Sequence, residues 1–384
     1  MQKSLVWFQW GAGCIVIIGL AACSASPIVT PDITATVAAT ATTIPTTTPT
    51  PYVPNGTPFP EGYNPLTGLT VADPSVLAHR PLVIKVSNES PEVRPQSGLS
   101  FADHVWEYQM EGFSQTRFSA IYYSQSPERV GSVRSARLID VEHLVDMYDG
   151  LLVYSGCSIG VCYRIQTAPW GNNRAFREDG IALIRIPDIP RPGTDKYHSL
   201  FAIPDRVWQA AEDRGVNSPP HLQSMAFSKD VPAGGIGTKS FSINYPELGS
   251  LHRWEYDPPS QKWLSFTTDE RSRGTEQPDT DLLTNQPLAF DNVILIYAEH
   301  RLADFVEDER NDLASVGINL LGKGDAVLMR DGVRFNCRWV RENPFDMIHL
   351  VDSEGNPLPL KSGTVWFNVY SSNMYQPDVA FTAH

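Results

Sequence analysis

Glu128-Arg129-Val130-Gly131-Ser132-Val133-Arg134-Ser135-Ala136-Arg137, running on into Leu138-Ile139-Asp140-Val141-Glu142-His143-Leu144-Val145-Asp146-Met147-Tyr148, decides how the chain is read. The pattern predicts a short strand, a Gly-Ser turn and a helix. Leu138, Val141, Leu144, Val145 and Tyr148 fall on one face at helical spacing, and Asp140, Glu142, His143 and Asp146 fall largely elsewhere. Arg134 and Arg137 stand where that helix is expected to begin. The positive end of a helix dipole disfavours cations, and a local rule broken in this way marks a candidate functional site. Unpaired backbone N–H groups together with two guanidinium groups make an anion site.

Outward from this stretch, short strands flank the helix. Leu82-Val83-Ile84-Lys85-Val86 reads as a buried strand. His104–Gln109, Phe118–Ser124 and Leu151–Tyr154 read as further strands, and a helix is expected over Asp205–Arg214. Strands alternating with a helix predict an α/β layered domain over residues 62–215. Breakers crowd residues 216–238, read as a linker. Beyond it, residues 239–384 predict a mostly β domain, with strands at Phe241–Tyr245, Arg253–Tyr256, Lys262–Phe266, Val293–Tyr297, Ala326–Met329, Val333–Val340 and Val365–Val369. The fold class expected is α+β. Trp254, Tyr256, Trp263, Trp339 and Trp366 read as core residues of those strands rather than as a glycan-binding face.

The N-terminus carries a different signal. Lys3 and the apolar run Gly11–Ala22 form a signal peptide over residues 1–22, too short for a committed membrane span. Its end, Leu20-Ala21-Ala22-Cys23, resembles a bacterial lipobox, which implies a diacylglycerol on Cys23 and attachment to the membrane. Residues 23–61 are rich in Thr and Pro with almost no charge, the composition of an extended tether. The expected location is the extracytoplasmic face of the cell membrane. The net charge of −13 over 384 residues gives no basic field for nucleic acid, so any anion site must be local. Cys157 and Cys162 are spaced to close a C-x4-C loop, or stand with Cys337 as buried thiols; an odd count decides nothing between these, and thiols are the expectation.

Between positions 94 and 137 there are five Arg (94, 117, 129, 134, 137) and no Lys. Arg suits bidentate phosphate or carboxylate recognition. Arg94, Arg117, Arg134 and Arg137, with Ser132 and Ser135 as hydrogen bonders and Asp103 nearby, are the candidate ligand-binding set. The same Arg can instead be closed in ion pairs by Asp103, Glu107, Glu111 and Glu128. Gly156-Cys157-Ser158-Ile159-Gly160 is a literal G-x-S-x-G, a nucleophile elbow only if a helix follows at once. The stretch before Pro169 reads as too short for that helix.

Tyr63–Leu69, Arg94–Ser100, Ala102-Asp103, Thr116-Arg117-Phe118 and Val130–Arg137 resemble the N-terminal domain of the YerB-like lipoproteins, domain of unknown function 3048. Trp254–Asp257, Asp291–Ile294, Gly322-Lys323-Gly324, Met329–Gly332 and Lys361–Trp366 are similar to the C-terminal domain of that family. The resemblance spans roughly residues 62–372. Two departures stand out: Gly156-Cys157-Ser158 where Gly-Gly-Ser is usual, and Pro190–Thr194 in place of an Arg-Pro-His-Asn segment. The resemblance implies the two-domain architecture and the lipid anchor, and no activity. The order of Val83–Val86, Arg94, Asp103 and Arg134 also resembles that of the LytR–CpsA–Psr phosphotransferases, which would imply Mg²⁺ held by Asp103 and a lipid-linked polymer as substrate. The leading expectation is an envelope binding or accessory factor without cofactor, whose partner is an anionic envelope polymer or an envelope protein. The Mg²⁺-dependent phosphotransferase is the alternative.

Overall fold

The computed structural model describes residues 60–383, apart from 89–90, 114, 188–197, 221, 223–224, 246–249 and 269–273. The expected signal peptide, Cys23, the tether to residue 59 and the Pro190–Thr194 departure lie outside the described residues.

Apolar runs build one large mixed sheet. Its centre comprises Leu82–Ser87 (β1), His104–Gln109 (β2), Thr116–Tyr122 (β3), Leu151–Val153 (β4), Asn292–Ala298 (β5) and Val365–Ser371 (β8, named here after its place in the chain). The order across the sheet is Ile236–Gly237, Val333–Arg341, Gly322–Arg330, β5, β8, β2, β3, β1, β4, Ala175–Phe176, with His349–Val351 paired to Val333–Arg341. Between β5 and β8 in sequence, His300–Asp308 (β6) and Leu313–Ile318 (β7) form a separate antiparallel hairpin.

Strand alternation sends side chains to two cores. Val83, Trp106, Tyr108, Ile121, Ile294 and Phe367 face one; Leu82, Ile84, Val105, Phe118, Val293 and Trp366 face the other. A sheet buried on both faces explains why β1 reads as a continuous apolar run rather than an alternating one. The first core is covered by the 138–148 segment, the helix Ile159–Thr167 (α1) and the β6–β7 hairpin. The second is covered by the helix Pro204–Asp213 (α2) and a six-stranded antiparallel sheet containing Ser240–Tyr245, Ser250–Asp257 and Lys262–Thr268.

The α+β class holds, and among the described residues every helix lies before residue 214. The two halves share the large sheet. β8 lies parallel between β5 and β2, with Val365 opposite both Asn292 and His104. Trp254, Trp263, Trp339 and Trp366 are buried, as core residues should be. α2 is displaced by one residue from its expected start: Pro204 takes the first helical position, so Asp205 falls in the first turn, and Gly215 at φ +67° ends it.

The opening stretch departs further from expectation. Val130–Gly131 is a short strand, but residues 132–137 remain extended, and a π-helical turn, Asp140–Leu144, leads into a single α-turn, Val145–Met147. The apolar face is buried as expected. Asp140, expected away from it, is fully buried too. Lys85, inside β1 and also fully buried, supplies the reason: its Nζ lies 3.1 Å from Asp140 Oδ1 and donates to Ser119 Oγ at 2.7 Å. A buried ammonium demands a carboxylate, and the wider π turn is where the backbone departs from α-helical register.

Candidate functional site

Pairing directions give β1, β2 and β4 a common orientation, so their carboxyl ends lie at one edge. Open α/β sheets bind ligands outside such an edge. Here a cleft of about 800 Å³ opens among five segments: the turn after β2 with Arg117 at the start of β3, the 134–137 stretch, the loop from β4 into α1, the tip of the β6–β7 hairpin, and His198 just before the strand Leu200–Ala202. Arg117, Arg134, Ser135 and Arg137 line it, together with Glu111, His198, Ser158, Glu307 and the hairpin residues Asp308–Asn311.

The arginines arrive there by backbone pairing, not by a helix terminus. The Arg134 N–H donates to the Lys85 carbonyl at 3.1 Å, Ser155 N–H donates to the Arg134 carbonyl at 3.0 Å, and Ala136 N–H donates to Gly156 O at 2.9 Å. The 134–136 stretch is thus an extended rung between the end of β1 and the exit of β4. This corrects the expectation that Arg134 stands at a helix start. Arg137 does precede the helical turn, and the Asp140 carboxylate accepts its N–H at 2.7 Å.

Arg137 is closed on two carboxylates. Its Nε and Nη2 donate to Glu111 at 2.9 and 2.6 Å, and Nη1 lies 3.2 Å from Glu307 Oε1. Burial would raise the Glu111 carboxyl, but the charge and hydrogen bonds of Arg137, helped by Arg117, hold it below its usual range. Behind the cleft, burial brings Lys85 down to about 7 against the opposing pull of Asp140, with the positive charges of Arg117 and Arg137 lowering it further. Arg117 Nη1 donates to the Ser135 carbonyl at 3.3 Å, which ties β3 to the rung.

Three candidates lie elsewhere. Arg94 is on the opposite side of the large sheet, donating to Asn88 Oδ1 at 2.9 Å beside Glu107 and His252 in a small cavity under the six-stranded sheet. Asp103 is buried, its carboxylate accepting from Asn64 Nδ2, the backbone N–H groups of Tyr123 and Ser124, and Ser124 Oγ. It pins the Tyr63–Leu69 segment to β3 and has no place in the cleft. Ser132 is buried and donates to the His198 carbonyl at 2.8 Å.

The G-x-S-x-G string also resolves. A helix does follow it, against expectation: α1 starts at Ile159, with Ser158 as N-cap accepting from Val161 N–H. Ser158 sits at φ −62°, ψ 165°, relaxed extended backbone rather than a strained elbow, and its hydroxyl donates to Glu307 Oε2 at 3.0 Å. Gly160 is needed for another reason, since a Cβ there would strike the Phe305 ring of β6. Cys157 and Cys162 are bridged, which corrects the expectation of free thiols. They flank the cap as its N′ and N4 positions, the two places a hydrophobic staple joins. Cys337 remains a buried thiol.

Sequence reasoning missed Lys85 and Glu307, while Glu111 plays the ion-pairing part toward Arg137 that the sequence reading offered for it. The Lys inside an apolar strand was a usable signal. The hairpin carrying Glu307 gave none by alternation, because the charges of β6, Arg301, Asp304, Glu307 and Asp308, fall on both faces of the strand.

With this geometry in hand, comparison with known proteins is direct. The N-terminal domain profile of "Protein of unknown function (DUF3048)" matches residues 66–217, and the C-terminal domain profile matches residues 241–367. The chain belongs to the DUF3048 family. The Bacillus subtilis (strain 168) protein named "Putative lipoprotein YerB" is 31% identical over 307 residues, covering 79% of this chain and 85% of that protein. The crystal structure of YerB protein from Bacillus subtilis superposes with a TM-score of 0.67 at 27% identity, covering 83% of this chain and 99% of the other. The two DUF3048 matches fall on either side of residues 218–240, and β8 of the C-terminal part completes the sheet begun by β2 of the N-terminal part.

Proposed function

We propose that this protein is a membrane-anchored lipoprotein of the cell envelope that binds an anionic ligand or partner in the Arg-lined cleft. One observation carries the binding reading. Arg117, Arg134 and Arg137, far apart in the chain or on different segments, line the same open cleft at the carboxyl edge of the sheet. Arg117, Arg134, Ser135 and Arg137 line the cleft together, and Arg137 also ties Glu111 and the hairpin into place. The lining is predominantly polar, suited to a hydrophilic ligand and not to a lipid tail.

The anchoring half of the reading rests on Leu20-Ala21-Ala22-Cys23 and on similarity to a protein named as a lipoprotein. Cys23→Ser is expected to move the protein from the membrane fraction to the soluble fraction and to abolish incorporation of labelled fatty acid. Retention in the membrane by that variant would refute the anchor. For the cleft, Arg134→Gln and Arg117→Gln are each expected to weaken binding of a polyglutamate probe about tenfold or more, the loss of a charged hydrogen bond. Unchanged binding in both would refute the site. The phosphotransferase alternative lacks support: it required Asp103 beside Arg134, and the Asp103 carboxylate is consumed elsewhere by four hydrogen bonds.

A further inference from the structure

Glu307 lines this cleft with both of its carboxylate oxygens engaged. Its Oε1 receives Arg137 Nη1 at 3.2 Å, and its Oε2 receives Ser158 Oγ at 3.0 Å and Ser315 Oγ at 2.8 Å. Ser158 is the N-cap of α1, so the carboxylate also stands at the positive end of a nine-residue helix. The side chain is only 2% exposed, although the cleft it borders is open. The receptor groups come from the 134–137 rung, from α1 and from β7, while the carboxylate is delivered by β6. A guanidinium, two hydroxyls and a helix N-terminus form a receptor for a carboxylate on an extended peptide strand, and that is what occupies it.

We propose that the partner recognised by the cleft presents a glutamate or aspartate side chain on an extended peptide, and that Glu307 stands in the place this carboxylate takes. The inference rests on the anion-binding reading above and names the chemistry of its ligand. A peptide carboxylate is favoured over phosphate because the groups around Glu307 serve two oxygens, Arg137 Nη1 on one and the hydroxyls of Ser158 and Ser315 on the other, and the resident group is itself a carboxylate. It is favoured over a glycan uronate because the resident group is carried on a β-strand.

The test uses the full chain and the variants Glu307→Ala and Glu307→Gln. Glu307→Ala is expected to melt below the wild type, and N-acetylglutamate amide at high millimolar concentration to restore about half of that loss. Inorganic phosphate and glucuronate at the same concentration should restore little, and adding Arg137→Gln should abolish the restoration. Equal restoration by phosphate or glucuronate, or none by the amide, would overturn the proposal. If Glu307→Ala does not fold, Glu307→Gln keeps the volume and removes the charge. Titration of that variant with an acetylated Gly-Glu-Gly amide should give about tenfold tighter binding than wild type, and no gain overturns the proposal. Failure here and failure of the cleft reading are distinguishable. Loss of polyglutamate binding in Arg134→Gln without restoration at position 307 removes only the stand-in; restoration without an effect of Arg134→Gln removes only the wider cleft.

Discussion

Lys85 sets the terms at the scale of single residues. It is fully buried in β1, with Asp140 and Ser119 as its partners. Removing one member of a buried pair strands the other charge in a low-dielectric core. Asp140→Ala is therefore expected to cost about 3–5 kcal/mol in a denaturant melt. The double change Lys85→Met, Asp140→Leu should recover most of that, because neither charge is left to desolvate. A double variant as unstable as the single one would show that the pair's worth is in shape rather than charge. Half of this was legible in the sequence. A Lys inside Leu-Val-Ile-Lys-Val announces a buried cation, but its partner could not be found, because helical periodicity turned Asp140 outward and the π turn brings it in. The arginines divide in the same way. That Arg117, Arg134 and Arg137 gather at one site was readable from composition, whereas Arg94, grouped with them, lies on the other side of the sheet. Which of them is closed on carboxylates depends on Glu307, from a strand that lies 170 residues further along.

At the scale of elements, the β6–β7 hairpin is the part that turns an edge of the sheet into a cleft. It docks through glycines: a Cβ at Gly160 would strike Phe305, and one at Gly112, already at φ +71°, would come within 2.8 Å of Leu313. Gly160→Ala is expected to push the hairpin off α1 and cost about 1–3 kcal/mol, the usual range for overpacking. The change should be seen as faster amide exchange in β6 with little change in α2. Exchange accelerating equally in β6 and α2 would place the damage in the fold at large. The Cys157–Cys162 bridge spans a short loop, so replacing both by Ser should cost about 2 kcal/mol by loop entropy. The frayed first turn of α1 would then release Ser158 from Glu307. The strands of the large sheet were legible because β-branched runs and turn residues mark them. The hairpin was not, because charged residues on a small, half-exposed ribbon carry no alternation.

For the whole molecule, pH is the broadest lever. Burial holds His104, His143 and His300 neutral, each lowered to about 4. An unfolded chain protonates these rings near 6.5, so below that the unfolded state binds more protons and stability falls as pH falls from about 6.5 to about 4, roughly 3 kcal/mol for each ring. Glu107, raised to about 7 by burial, has the opposite sign: the folded state holds its proton between about 4.5 and 7, so it loses stability as pH rises. His252, lowered to about 3 by burial and lying 3.5 Å from Glu107, has the sign of the other buried rings and so opposes Glu107. His104, His143 and His300 therefore set the sign, with His79 and His349 lowered by burial in the same direction, and the melting temperature should drop steeply between pH 6.5 and 4; a flat profile there would contradict the buried, neutral assignments. At this scale the α+β class was readable from strand and turn signals, and the order of the two family domains from the motifs that resemble them. The shared sheet was not, because the parallel pairing of β8 with β2 joins residues 261 positions apart and leaves no local trace. The central claim is that Arg117 and Arg134 meet an anion in the cleft. Side-chain nitrogen NMR of the arginines in the full chain, titrated with an acetylated Gly-Glu-Gly amide, tests it most directly. The account predicts saturable shifts of the Arg117 and Arg134 Nε–Hε resonances with Arg94 unmoved; shifts at Arg94 alone, or at none of the three, would contradict it.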